Sequence, residues 1–149
     1  MVALTVNGAA VALDLPDATM LLDALRHTLG LTGSRYGCGV GACGSCMVLV
    51  DGRPEPSCTL PLWAVADKAV TTIEGIGTPD APHRLQTAFL DQQAGQCGYC
   101  LAGIIVTAAG LLRHTPSPSE QAVRAALDRN LCRCGAHNRI VRAVLQAAR

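Results

Sequence analysis

Gly33-Ser34-Arg35-Tyr36-Gly37-Cys38-Gly39-Val40-Gly41-Ala42-Cys43-Gly44-Ser45-Cys46 carries three cysteines in a C-x4-C-x2-C run, and a fourth, Cys58, lies further along. That is the plant-type ligand spacing of a [2Fe–2S] cluster. Five glycines fall in the same stretch. A loop wrapped closely round an inorganic core needs positive φ and near backbone approach, which glycine allows because it has no Cβ. Structural zinc usually takes two C-x2–4-C knuckles, which fits this spacing less well, and unligated thiols are the remaining alternative.

Working outward, the residues before the loop read as strands and a helix. Val2, Leu4 and Val6 alternate with other residues, as do Val11, Leu13 and Leu15, and Asn7-Gly8 between them signals a hairpin. Asp17 or Thr19 could cap a helix whose apolar face is Leu21, Leu22, Leu25 and Leu29, with Gly30 ending it. After the loop, Met47 to Val50 and Val70 to Ile73 are strand candidates, with a turn at Asp51-Gly52. The expectation is a small unit of strands and one helix over residues 1–75. A Gly- and Pro-rich connector, 76–83, follows.

Beyond it the apolar period lengthens to that of helices. Leu85, Ala88 and Phe89 mark one helix, and Leu101, Ile104, Ile105, Ala108, Ala109 and Leu112 a second. Ser117-Pro118-Ser119-Glu120 reads as a capping box with proline at the first helical position, opening a third helix with Val123, Ala126 and Leu127. Ile140, Val141, Val144, Leu145 and Ala148 mark the fourth. Short connections imply an antiparallel four-helix bundle over residues 84–149. The fold class is therefore α+β, with a strand-rich unit preceding an all-α one.

The helical half holds the other four cysteines, Cys97 and Cys100 as C-x2-C, then Cys132 and Cys134 as C-x-C. By spacing alone this quartet suits zinc as well as an iron–sulfur cluster. Small halves of this size would each be helped by a metal staple. The chain opens without a basic segment leading into an apolar one, so no export signal is visible and a cytoplasmic setting is expected, or export only as part of a complex. Eight cysteines in such a setting read as metal ligands rather than disulfides.

The remaining composition excludes other functions. The net charge is +1 and the aromatic residues are only Tyr36, Trp63, Phe89 and Tyr99, so neither electrostatic attraction to nucleic acid nor base stacking is supported. No apolar run reaches membrane-spanning length. The histidines show no ligand spacing, no nucleophile–base or paired-carboxylate arrangement is present, and no catalytic residue is expected. Trp63 reads as a core or interface residue. Gly39 to Gly44 mimics a dinucleotide fingerprint but follows a helix and contains cysteines, so that reading fails.

Gln96-Cys97-Gly98-Tyr99-Cys100 together with Asn130-Leu131-Cys132-Arg133-Cys134-Gly135 resembles the iron–sulfur subunit, or N-terminal segment, of molybdenum hydroxylases of the xanthine oxidase type. The resemblance covers essentially the whole chain. It implies a plant-ferredoxin-like β-grasp domain followed by a four-helix domain with a second [2Fe–2S] cluster. It further implies that Cys38, Cys43, Cys46 and Cys58 hold one cluster, and that Cys97, Cys100, Cys132 and Cys134 hold another nearer the molybdenum. Gln96 and Cys134 would contact a molybdopterin cofactor held by a large partner subunit. Leu101-Ala102-Gly103 departs from the Thr-Pro-Gly of many relatives and is similar to the branch that includes the nicotinate dehydrogenase and isoquinoline oxidoreductase small subunits. In that branch a cytochrome c, rather than a flavin-containing subunit, can receive the electrons. The implied activity is electron transfer for oxidation of an N-heteroaromatic or an aldehyde. The main rival is a stand-alone two-cluster ferredoxin; a zinc-based interaction module is the other.

Overall fold

The computed structural model describes residues 1–149. Its strands are β1 (Val2–Val6), β2 (Ala9–Leu13), β3 (Met47–Val50), β4 (Arg53–Pro56) and β5 (Ala69–Thr71). They form one mixed sheet in the order β2-β1-β5-β3-β4. β1 and β2 pair antiparallel through the Asn7-Gly8 turn, where both φ values are positive, as a type I′ hairpin turn requires. Asp51-Gly52 makes the same kind of turn between β3 and β4. β5 runs parallel to β1 and antiparallel to β3, with Val70 opposite both Val6 and Val50.

The helices are α1 (Leu21–Asp23), α2 (Ile73–Ile76), α3 (Arg84–Asp91), α4 (Leu101–His114), α5 (Glu120–Ala126) and α6 (His137–Ala147). α1 continues as a π-helical turn over Ala24–Thr28, and its cap position is Met20 without a side-chain bond, so neither Asp17 nor Thr19 caps it. Glycine at position 30, with φ +69°, stops the helix as expected.

Three further expectations shift. Ile73 belongs to α2 rather than to a strand, and α2 reaches Ile76, the first residue of the expected connector. The cap of α5 is Ser119, whose Oγ accepts from Ala122 N–H, so Pro118 stands outside the helix. The capping box belongs to α3 instead: His83 Nδ1 accepts from Leu85 N–H while Gln86 Oε1 accepts from His83 N–H. Trp63 is 63% exposed and so is not a core residue.

Two cores result. Val2, Leu4, Val6, Leu25, Val48, Leu62 and Val70 pack behind the sheet. Leu85, Ile104, Val123, Ile140 and Val144 pack among α3 to α6, each fully buried apolar side chain stabilising by about 1.5–3 kcal/mol. Met47, Leu49 and Val106 join β3 to α4. That join is tight because two glycines on one face of α4 let it approach: a Cβ on Gly103 would overlap the Gly44 carbonyl oxygen, and one on Gly110 would lie 2.6 Å from Pro54 Cγ.

Candidate metal centres

The β3–β4 hairpin builds half of the first quartet. Met47 pairs with Pro56, so the residues flanking the pair, Cys46 on one side and Ser57-Cys58 on the other, meet at the end of the ladder. Ser57 secures them, its N–H and Oγ both donating to Cys46 C=O, at 3.3 and 2.6 Å. Cys46 and Cys58 are buried and their thiols are in contact.

The glycine loop builds the other half. Gly39, Gly41 and Gly44 have φ of +71°, +70° and +79°, which turns successive peptide N–H groups inward. Those of Val40, Ala42 and Cys43 donate to Cys38 Sγ at 3.4, 3.2 and 3.4 Å. The donors stabilise the thiolate and lower Cys38 to about 6, the Val40 N–H most. Cys43 lies against Cys38, and a Cβ on Gly37 would be 2.7 Å from Cys43 Sγ. Burial and the adjacent Cys46 thiol push Cys58 up to about 11.

The second quartet is assembled from helix ends. Cys97 and Cys100 precede α4, with Cys100 at its cap position, and Cys132 and Cys134 lie in the turn before α6. Free N–H groups at a helix start favour a thiolate. Cys97 touches Cys134, and Cys100 touches Cys132. Cys97 is lowered, chiefly by the Tyr99 N–H. Burial raises Cys132, but the N–H groups of Ala136, Cys134 and Gly135 together with the Cys100 thiol outweigh it and the net shift is downward. Cys100 is pushed up to about 12 by burial and the Cys132 thiol.

All eight thiols are free of disulfides. No three Cys, His, Asp or Glu side chains converge on one point as a mononuclear metal site would need. A [2Fe–2S] cluster asks for four thiolates in two pairs, one pair for each iron. In each quartet the thiols in contact fall into two pairs, Cys38/Cys43 with Cys46/Cys58 and Cys97/Cys134 with Cys100/Cys132. The donor sets and the close glycine backbone fit the group.

Gln96, beside this quartet, is exposed and donates from Nε2 to Cys134 C=O at 3.2 Å. It borders a polar cavity of about 390 Å³ lined also by Gln93, Gly135, Asn138, Arg139 and Arg142. The cysteines and Gln96 were visible in the sequence. The contacts that tie the two cysteine regions to each other were not: those of Arg35 and Tyr99 on one flank, and of Arg129, Asn130 and Leu131 on the other.

Two family models cover nearly the whole chain, "2Fe-2S iron-sulfur cluster binding domain" over residues 4–70 and "[2Fe-2S] binding domain" over 72–145. One component of the nicotinate dehydrogenase of Pseudomonas putida is 49% identical over 147 residues, spanning 99% of this chain and 94% of that protein. The chain belongs to the iron–sulfur subunit family of the molybdenum hydroxylases. Within this family, the alpha chain of isoquinoline 1-oxidoreductase from Brevundimonas diminuta is 43% identical over 150 residues, spanning 100% of this chain and 98% of the relative. The quinoline 2-oxidoreductase crystal structure from Pseudomonas putida superposes with TM-score 0.93 at 36% identity, covering 99% of this chain and 92% of that one. The aldehyde oxidoreductase structure from Desulfovibrio desulfuricans gives TM-score 0.95 at 42% identity; there the chain spans 98% of itself but only 16% of the larger polypeptide. As a member with two [2Fe–2S] domains, the chain holds two clusters and serves in electron transfer. No helix is long and apolar enough to cross a membrane.

Proposed function

We propose that this chain is the electron-transfer subunit of a molybdenum hydroxylase whose molybdopterin is held by a large partner subunit. The observation that carries the proposal is the contact from Gln96 to the Cys134 carbonyl, which sets an exposed amide against the second quartet where a partner's cofactor could reach both. Residues 1–75 are a β-grasp domain of the plant ferredoxin type, 76–83 a connector, and 84–149 a four-helix bundle. Cys38, Cys43, Cys46 and Cys58 hold the outer cluster; Cys97, Cys100, Cys132 and Cys134 hold the inner one. Gln96 and Cys134 form the side facing the molybdopterin.

When bound, each cluster supplies a site that takes up and releases one electron at a time. The residues of this chain do the rest. Three N–H groups on Cys38 stabilise its negative charge. Burial of Cys46, Cys58 and Cys100 keeps water from those sulfurs. Cys58 and Cys100, both raised, release their protons as metal binds. No acid, base or nucleophile is required of this chain. The substrate is an N-heteroaromatic or an aldehyde, and a cytochrome c or a flavin-containing subunit receives the electrons. The compartment is that of the complex, cytoplasmic unless a partner carries it outward.

Purification of the tagged chain from its native host tests this reading. A stoichiometric large subunit containing molybdenum is expected; a lone iron-containing monomer contradicts it. Gln96→Ala should slow reduction of the clusters by substrate while leaving cluster content and melting temperature unchanged. Unaltered reduction would remove Gln96 from the electron path.

A further inference from the structure

A net charge of +1 hides a segregation of charge along the chain. Residues 129–149 carry five arginines, Arg129, Arg133, Arg139, Arg142 and Arg149, and no aspartate or glutamate. The first 128 residues hold all eleven Asp and Glu against seven Lys and Arg, and are net negative. α6 lies wholly in the cationic stretch. It has no acidic residue in its first turn and no side-chain cap, although the positive end of a helix dipole favours acids there. The chain's one ion pair, Arg124–Glu120, is on α5, so Arg139 and Arg142 have no carboxylate partner. Arg139 Nη1 donates to Gln93 C=O at 3.4 Å, and Arg142 Nε to Asn138 C=O at 3.3 Å. A guanidinium has five N–H donors, so most of theirs stay free on the wall of the 390 Å³ cavity beside Gln96. The turn that borders this cavity has a second flank. Gln93, Gly95 and Gln96 also border an apolar groove of about 550 Å³, lined by Phe89, Leu90 and Leu101 among others. Leu90 is 76% exposed there. One exposed leucine is ordinary on a protein surface; one in an apolar groove alongside a cationic cavity makes a two-part footprint.

We infer that the two hollows are one docking footprint for the large subunit, which sets carboxylates against Arg139 and Arg142 and an apolar side chain into the groove beside Leu90. The inference deepens the function proposed above and rests on it. Two observations choose this occupant. The footprint is continuous with Gln96, the residue that faces the partner's cofactor in that proposal. Its charge is of one sign, so it fits an acidic surface and opposes a second copy of this chain, whose matching patch would bring arginine against arginine. Opposite charges across the contact speed encounter and fix the register in which Gln96 meets the cofactor, and the apolar groove adds burial that salt does not screen. The acidic first 128 residues are left outside the footprint, and they repel an acidic partner that approaches in the wrong orientation.

The experiment uses the intact complex with Arg142→Gln, Arg142→Glu, Arg139→Gln and Leu90→Ser, and with Arg124→Gln as a control away from the footprint. Iron content, molybdopterin content, the potential of each cluster and the subunit dissociation constant over a series of salt concentrations are measured. All of the substituted side chains are exposed, so each variant should keep its iron and both cluster signals. Arg142→Gln and Arg139→Gln should each weaken association about tenfold and flatten its salt dependence, and Arg142→Glu should weaken it about 100-fold or more. Leu90→Ser should weaken association about tenfold while leaving the salt dependence as it was. Arg124→Gln should change nothing. Unchanged association in Arg142→Glu overturns the inference. So does an arginine variant that shifts the second cluster's potential with association intact, since the guanidiniums would then balance the cluster's charge. Loss of molybdopterin from a complex that stays assembled also overturns it, because the arginines would then hold the cofactor's phosphate. Purification of the unsubstituted chain without any large subunit overturns the proposed function beneath it, and the inference with it.

Discussion

The two quartets reach the same four-thiol arrangement by different construction. The first is mostly local: one glycine loop supplies Cys38, Cys43 and Cys46, and a hairpin of two four-residue strands returns Cys58 to them. The second is assembled at a distance, from the start of α4 and the turn before α6, and exists only while those helices pack. Charge is handled differently as well. The loop aims three N–H groups at one half-buried sulfur, Cys38. The helical site spreads its donors over Cys97 and Cys132 and buries Cys100. A loop site depends on backbone conformation; a helix-end site depends on a core.

The largest expected effect is loss of one cluster without the other. Cys46→Ser should remove the first cluster and its two irons while the second stays detectable by electron paramagnetic resonance; survival of both signals would break the ligand division. Next come matched cavities in the two cores. Ile140→Ala and Leu25→Ala, at 1% and 0% exposure, should each cost about 2–5 kcal/mol in denaturant unfolding. The comparison predicts that Ile140→Ala releases the second cluster before the first on titration with chelator, and that Leu25→Ala reverses the order. One order for both variants would mean that the two sites share a single support.

Gly103→Ala tests the join. Its Cβ would collide with the Gly44 carbonyl oxygen, so α4 and the glycine loop must separate. A loss of about 1–3 kcal/mol is expected, with both cluster spectra shifting together. The smallest effect lies away from both sites. His83→Ala removes the α3 cap and should cost about 1 kcal/mol without changing either spectrum. The cap is pH-dependent because only neutral Nδ1 accepts the Leu85 N–H. Burial, and then the Arg84 charge, lower His83 from 6.5. The cap's contribution is therefore complete above pH 6.5 and is lost as pH falls through the lowered folded value. The melting difference between the native chain and His83→Ala should shrink over that acid range; a constant difference would contradict the cap's chemistry.

Much of this arrangement was legible in the chain before folding was considered. The C-x4-C-x2-C spacing with its glycines is a local pattern, and so are the Asn7-Gly8 hairpin, the Asp51-Gly52 turn and the four helical apolar periodicities. The second quartet could not be separated from a zinc site by spacing, because what brings Cys97 to Cys134 is helix packing and not chain proximity. β4 was hidden because Arg53-Pro54-Glu55-Pro56 has no apolar alternation; it is a strand at the sheet edge, where proline is tolerated. The cap of α5 was misplaced because two serines compete and only Ser119 directs its hydroxyl to the helix. Asn130 stood in the sequence only as the first residue of the run leading to Cys132. Its contact with the glycine loop acquires meaning only when Gly44, far away in sequence, comes to rest against it.

The central claim is that two quartets, each divided into two thiol pairs, hold two separate [2Fe–2S] clusters. Metal and sulfide analysis of the native complex, combined with paramagnetic resonance after dithionite reduction, tests it most directly. The account predicts four irons and four acid-labile sulfides in this chain, two of each for each matched domain, and two distinguishable signals. Zinc in place of iron at either quartet, or a single signal with half that iron, would contradict it.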